Sequence, residues 1–410
     1  MALNLSRDAK LYAAIAGTAV NGTGNTHLNM WELPVLDGFS FTQDSGTQDI
    51  TVSEAGETPT RGMKQFTTTL NPVDVSFSMY VKPYIKTDLA VATKARASSV
   101  EHILWNALVS PLLGVGDAAT SDVATSGIIT AIDEAFPDIN SASSTIDFLN
   151  SDVHELLLLD LYFSFENTTY KISSFSANSV EVDFSIDGIA TLNWSGQGLT
   201  LEDDDTAHTE ISTWVTGDRY TSYYPAPPGT AGCIKNRFTT MLIQDMNPDS
   251  DAYEDFYVIP ITGGSITIDN GITYLTPEEL GKVNTACGSF TGTRSITGNV
   301  TAYLNTGVAE GETIIDAKST AQLLNDVLGL TDATNTTYAV SLYMGGKSDA
   351  TPIVTFSMPT AHLVIPTINT EDVIATEISF VAQGSTGNLS DKDELTITYN
   401  QDKDNKVPEG

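Results

Sequence analysis

Residues able to do chemistry are present in this chain, but their spacing builds none of the familiar reactive sites. Residues 345–348 read Gly-Gly-Lys-Ser, the ending of a phosphate-binding loop. The first glycine of such a loop would fall at Ser341, however, and a strand-like segment follows where the anion-binding helix belongs. A hairpin turn accounts for the same residues. Asp245, Asn247, Asp249 and Asp251 alternate as in a calcium loop, yet Ser250 occupies the glycine position and Phe256 that of the bidentate glutamate. A solvated acidic turn explains them better than a loose cation site does, and it also explains the acidic run 202–205. The histidines His27, His102, His154, His208 and His362 are scattered, without metal-ligand spacing. Cys233 and Cys287 lie too far apart in sequence to suggest a zinc site, and two cysteines make no disulfide framework. The residues therefore argue for no enzyme, no cofactor and no metal.

The elements around these residues are mostly strands. Only 17% of the chain is charged, against an ordinary 41% hydrophobic, and Ser, Thr, Asn and Gly make up the difference. That usage favours strands and turns over exposed helices. The 410 residues allow two or three domains with a core each. Fifty-two acidic residues against nineteen basic ones give a net charge of −33. Such a surface repels phosphates, which excludes gripping or sequence-reading of nucleic acid. The amino terminus lacks a basic stretch followed by an apolar one, and no apolar run is long enough to span a membrane. The expectation is a soluble chain with no membrane partner.

Taken in order, residues 6–20 suggest a short helix with Leu11, Tyr12 and Ile15 on one side and Ser6 as its cap. Residues 27–36 and 39–42 read as strands, and 44–66 as a long polar connection. Val75, Phe77, Met79 and Val81 then alternate with polar residues as a strand with one buried face. Residues 87–108 carry Leu89, Val91, Ile103, Leu104 and Leu108 at helical spacing, and 319–328 predict a second helix. Residues 170–175 and 180–186 read as paired strands, with Glu181 and Asp183 opposite the apolar set. A last strand covers 395–400, and a polar tail follows.

Much of this pattern is stated twice. Leu33, Pro34, Val35 and Gly38 recur as Ile259, Pro260, Ile261 and Gly264 at one constant separation. Phe66-Thr67 returns as Phe290-Thr291, and the segment 77–80 as 300–303. Leu104 and Leu108 match Leu324 and Leu328, Leu161-Tyr162 matches Leu342-Tyr343, and Ile189-Ala190-Thr191 matches Ile374-Ala375-Thr376. These anchors keep a single order, so the chain reads as a tandem duplication. The units are 1–222, with an acidic insertion around 109–160, and 232–410, joined by a Pro/Gly linker at 223–231.

Three stretches of the first unit resemble the tail tube proteins of long-tailed bacteriophages. They are 37–44 followed by 47–61, then 71–83, and the pair 170–172 and 186–196. The likeness covers most of 33–200 and, more faintly, 255–400. It implies a mainly β fold, sandwich- or barrel-like, with one flanking helix per domain. It also implies self-assembly into closed rings that stack into a hollow tube alongside other tail proteins. Because the family's ring is usually hexameric with single-domain subunits, two domains per chain imply homotrimeric, pseudo-sixfold rings. The long polar connection would then reach the adjoining ring, with Gln48, Ile50, Val52, Glu54, Glu57 and Arg61 as candidate contacts, and Tyr274 and Leu275 in the second unit. Glu181 and Asp183 become candidates for a lumen through which double-stranded DNA passes without specific binding. The same two residues fit an outer solvent surface equally well. Competing readings are another β-rich virion or cell-surface protein, such as a decoration protein or adhesin, and a hydrolase with dispersed residues.

Overall fold

The computed structural model describes residues 9–17, 30–50, 64–81, 83–87, 95–99, 101–109, 143–148, 154–186, 188–213, 234, 236–246, 256–306, 318–329, 337–345, 354–364, 367–370, 374–385 and 393–400. In the first part of the chain the strands are β1 (Lys10–Ile15), β2 (Trp31–Leu33), β3 (Ser40–Ile50), β4 (Lys64–Tyr80), β5 (Pro83–Thr87), β6 (Ala95–Ser99), β7 (Ser143–Asp147), β8 (Leu159–Ser164), β9 (Thr169–Ser185), β10 (Thr191–Gly198) and β11 (Thr200–Asp203). Helix α1 (His102–Val109) lies between β6 and β7, and α2 (Asp205–Thr213) follows β11. The second part has β12 (Thr240–Asp245), β13 (Phe256–Ile259), β14 (Ile261–Asp269), β15 (Thr273–Leu275), β16 (Asn284–Thr285), β17 (Gly288–Phe290) and β18 (Ser295–Tyr303). After α3 (Thr320–Gly329) come β19 (Tyr338–Met344), β20 (Val354–Leu363), β21 (Thr367–Thr370), β22 (Ile374–Gln383) and β23 (Thr396–Asn400). The fold is mainly β, as the low charge and high Ser/Thr content predict.

One antiparallel sheet runs through both parts in the order β3–β4–β10–β9–β14–β18–β22–β21. Its inward residues alternate strictly: Val73, Val75, Phe77 and Met79 on β4, Leu192 and Trp194 on β10, and Val180, Val182 and Phe184 on β9 are all buried. Ile266 and Ile268 on β14 and Ile378 and Phe380 on β22 continue the pattern. A second layer, β2–β1–β8 with the first half of β9 and β11, closes the core from the other side. In the second part β13–β12–β19–β20–β23 does the same. The halves therefore repeat their pairings one for one: β1 with β2 and β8 is matched by β12 with β13 and β19, and β4 with β3 and β10 by β18 with β14 and β22.

Four readings of the sequence are corrected here. Residues 10–15 form a strand, not a helix: Leu11 and Ala13 enter the main core while Tyr12 and Ala14 face a smaller cluster with Met30, Tyr162, Ala207 and Ile211 under α2. Burial on both faces leaves no alternation to read. The supposed pair at 170–186 is the single strand β9, which bends instead of turning. Ser174 takes a left-handed φ of 49° at the bend, and Asp160 holds it by accepting a hydrogen bond from the Ser174 amide at 3.0 Å. Where it is described, the 44–66 connection is strand: β3 and β4 stay paired from Ser40↔Ser76 out to Ile50↔Lys64, and 51–63 lie outside the described residues. The helix expected over 87–108 is confined to α1, with β6 before it. The linker, most of the insertion and the polar tail lie outside the described residues.

Candidate functional site

The face of the long sheet opposite the core is lined by small polar side chains and carboxylates. Neighbouring strands align these residues into rungs. One rung runs Ser78, Asn193, Glu181, Thr267, Thr297 and another runs Tyr80, Thr191, Asp183, Ser265, Asn299, Ser379. The side chains brace each other across strands. Ser40 and Ser76 Oγ atoms lie 2.8 Å apart, and Ser179 and Ser195 2.7 Å. Ser78 Oγ donates to Asn193 Oδ1 at 2.7 Å, and the Asn193 amide donates to Glu181 Oε2 at 3.5 Å. Gln197 Nε2 donates to Asp74 Oδ1 at 2.7 Å, and Asn299 donates to Glu377. Glu181 and Asp183 sit exposed on this face, opposite buried Val180, Val182 and Phe184. Asp74, Asp269 and Glu377 join them, which the alternation of each strand would have revealed once the strands were placed in one sheet.

No Lys or Arg occurs in 40–43, 73–80, 176–185, 191–198, 261–269, 295–303 or 374–383. The face therefore carries only negative or neutral groups, apart from His362, which pairs with Val381 beside it. An open cavity of about 330 Å³ lies on this face among Ser40, Thr42, Asp74, Ser76, Ser195 and Gln197, its carboxylate tied to the Gln197 amide. Among the described residues, no group of three His, Cys, Asp or Glu side chains could hold a metal. Among the same residues, no helix is long and apolar enough to cross a membrane. Cys287 is a free, exposed thiol.

The sheet has two ends. At one, the β9–β10 turn, the end of β18 and the start of β22 come together: Ile186 N donates to Thr262 O at 3.0 Å, and Leu304 N to Ile374 O at 3.0 Å. At the other, two arms extend beyond the core. The first is the β3–β4 pair, where Gln48 is exposed and paired with Phe66, and Ile50 with Lys64. Val52, Glu54, Glu57 and Arg61 lie outside the described residues. The second arm is the β15–β17 pair, whose returning chain lays β16 parallel to β4 at Asn284↔Thr69 and Thr285↔Leu70. Tyr274 anchors this arm, its hydroxyl reaching Gln197 O at 2.7 Å and Ser174 O at 3.1 Å. Burial pushes that phenol up to about 12. Leu275 is 53% exposed, unlike its neighbour Tyr274.

The two long edges of the sheet are β3 and β21. Among the described residues each pairs on one side only, with β4 and β22 respectively. The internal seam between the halves is β9–β14, in register from Ser179↔Asp269 to Ser185↔Gly263.

No family model matches the chain. It is 32% identical over 390 residues to the tail tube protein pb6 of Escherichia phage T5, an alignment covering 93% of this chain and 73% of pb6. Among solved structures, the cryo-EM structure of the cap that terminates the tube of the anti-feeding prophage aligns with 45% of this chain and 97% of its own. That alignment has 12% identity and a TM-score of 0.24, and no argument about the fold is built on it. By its identity and coverage with pb6, the chain belongs to the bacteriophage tail tube proteins.

Proposed function

We propose that this chain is the wall subunit of a phage tail tube, three copies closing head to tail into a pseudo-sixfold ring and the rings stacking along one axis. The observation that carries the reading is the β9–β14 seam together with the two open edges. β14 stands in the second half where β3 stands in the first, and β21 stands where the end of β9 stands. An edge that accepts β14 within the chain thus has an unoccupied counterpart in β21, and β3 is the matching strand of the next copy. Open strand edges invite partners, and closing the ring removes both. The reading treats 1–222 and 232–410 as two tail-tube domains from one duplication, with 223–231 between them.

In this ring the polar face lines the lumen. Duplex DNA carries about one negative charge per 1.7 Å. Carboxylates at Asp74, Glu181, Asp183, Asp269 and Glu377, with no Lys or Arg in 73–80, 176–185, 261–269 or 374–383, repel it and offer no site at which it stalls. The work is conduction without binding, in a virion tail assembled with other tail proteins in the host cytoplasm.

Copying the internal register gives the seam between copies: Glu181↔Thr267 becomes Thr367↔Thr42, and Asp183↔Ser265 becomes Asn369↔Ser40. Directly opposed residues lie about 4.5–5.5 Å apart, within disulfide reach. With Cys233 and Cys287 replaced by Ser, the pairs Thr367→Cys/Thr42→Cys and Asn369→Cys/Ser40→Cys are expected to give covalent trimers on mild oxidation of assembled protein. Negative-stain images of the same material are expected to show three-lobed rings or tubes. Monomers at high concentration with no cross-linked species would overturn the reading.

A further inference from the structure

The exposed apolar side chains are not scattered. Among the described residues, apart from Met246, Leu328, Val364 and Val381, the large exposed hydrophobic residues sit at the two ends of the long sheet. The arm end carries Phe66, Leu275, Leu280, Val283 and Phe290; the opposite rim carries Ile186, Ile189, Tyr303 and Ile374. Single exposed apolar residues are ordinary, but their concentration at two opposed ends of a polar sheet marks contact surfaces.

Two pairs match in the repeated sequence and share an end of the molecule, although in strand register Ile374 takes the place of Ala190, next to Ile189, and Phe290 lies on β17 where Phe66 lies on β4. Phe66 and Phe290, each followed by Thr, are 47% and 40% exposed on the arms. Ile189 and Ile374, each followed by Ala-Thr, are 40% and 44% exposed on the rim. Both isoleucines lead into the strand that pairs with β4 or β18, and both phenylalanines lie on the arm approaching that same strand. Each half thus presents one aromatic at one end of its wall and one β-branched aliphatic at the other. Neither contributes to its own core, so the fold gives no reason for the repetition.

We infer that the rim formed by Ile189 and Ile374 receives Phe66 and Phe290 of the chain in the neighbouring ring, so that each half of the wall makes one copy of the same contact. The partner is a second copy of this chain, and the inference rests on the stacked-ring reading above. A heterologous contact of this kind, one end against the opposite end, propagates without limit along one axis. It adds an apolar ring joint outside the lumen charge, where salt does not weaken it.

The test uses the full chain and two charge-bearing variants, Ile189→Glu/Ile374→Glu and Phe66→Lys/Phe290→Lys. Sedimentation and negative stain are expected to show trimers for each alone, with the threshold concentration for tubes raised at least about tenfold through lost apolar contact. An equimolar mixture is expected to regain tubes, since each Lys then faces a Glu. Tubes of Ile189→Glu/Ile374→Glu at the unmodified threshold would overturn the rim assignment while leaving the ring reading intact. Failure of the unmodified chain to form trimers or tubes would instead remove the ring reading itself. Should the Glu variant lose its thermal transition, Ile189→Thr/Ile374→Thr replaces it, with unchanged melting and a raised threshold as the expected result and an unchanged threshold as the contrary one.

Discussion

Glu101, Trp105 and Tyr399 tie the two halves together through three buried polar side chains. Tyr399 donates to Glu101 Oε1 at 2.6 Å, and Trp105 Nε1 reaches the Tyr399 oxygen at 3.1 Å. Removing a partner from a buried carboxylate costs about 1–3 kcal/mol. Tyr399→Phe should lower the unfolding free energy by that amount, read as an earlier urea midpoint with an unchanged slope. Burial and the Glu101 charge also hold the Tyr399 phenol well above its ordinary value. Burial likewise raises Tyr257, Tyr274 and Tyr338. Folded phenols raised above their unfolded value of about 10 contribute stability that is intact below that pH and lost as pH climbs toward the folded values. Melting temperature should therefore stay level from neutral pH to about pH 9 and fall beyond about pH 10. A shallower alkaline decline in Tyr399→Phe would check the cause; an unchanged decline would refute the part assigned to Tyr399.

At the scale of elements, strands with one wet face and the helix at 319–328 were legible; strands covered on both sides and the arms were not. Val75–Phe77–Met79 and Val180–Val182–Phe184 announce themselves by alternation because one side of each meets the polar face. β1 did not, since α2 covers its second side, and the arms did not, since neither side of a protruding strand pair needs apolar residues. The acidic run 202–205 hid a helix start: Asp204 accepts from the Ala207 amide at 2.8 Å and caps α2. Glu181 and Asp183 could be assigned to an exposed face from sequence. That Asp74, Asp269 and Glu377 share it depends on the β9–β14 pairing, a long-range contact that no local pattern encodes. Two glycines from the repeated segment also part company here. Gly38 has a φ of 99° with open space around a would-be Cβ, so Gly38→Ala should cost about 1–2 kcal/mol of backbone strain. A Cβ at Gly264 would meet the Asn299 carbonyl and, at 2.9 Å, the Val300 Cα, backbone atoms that cannot swing aside. Gly264→Ala should cost about 1–3 kcal/mol by overpacking, and also raise the threshold for assembly. Thermal melts of the two variants, alone and combined, should be additive.

At the scale of the molecule, a net charge of −33 sets the conditions for association. Bringing such chains together is opposed by long-range repulsion that salt screens over about 10 Å at 0.1 M. Polymer length measured by light scattering should rise from low salt to physiological salt, opposite to the behaviour of a nucleic-acid-binding protein. Duplex DNA in a filter assay should be retained at neither concentration.

The β9–β14 seam has one more consequence. In the proposed ring, every second seam is formed within a chain and backed by β7 pairing with β23, Arg294 lying over the Phe148 ring, and the Glu101–Tyr399 bond. The alternate seams have only what two separate molecules bring. The wall is then a chain of stiff staves and softer joints, half of its hoop welded before assembly begins. Closing it requires three encounters where six separate subunits would need six. A tube twisted or bent hard enough should open along the joints between molecules and leave each stave whole.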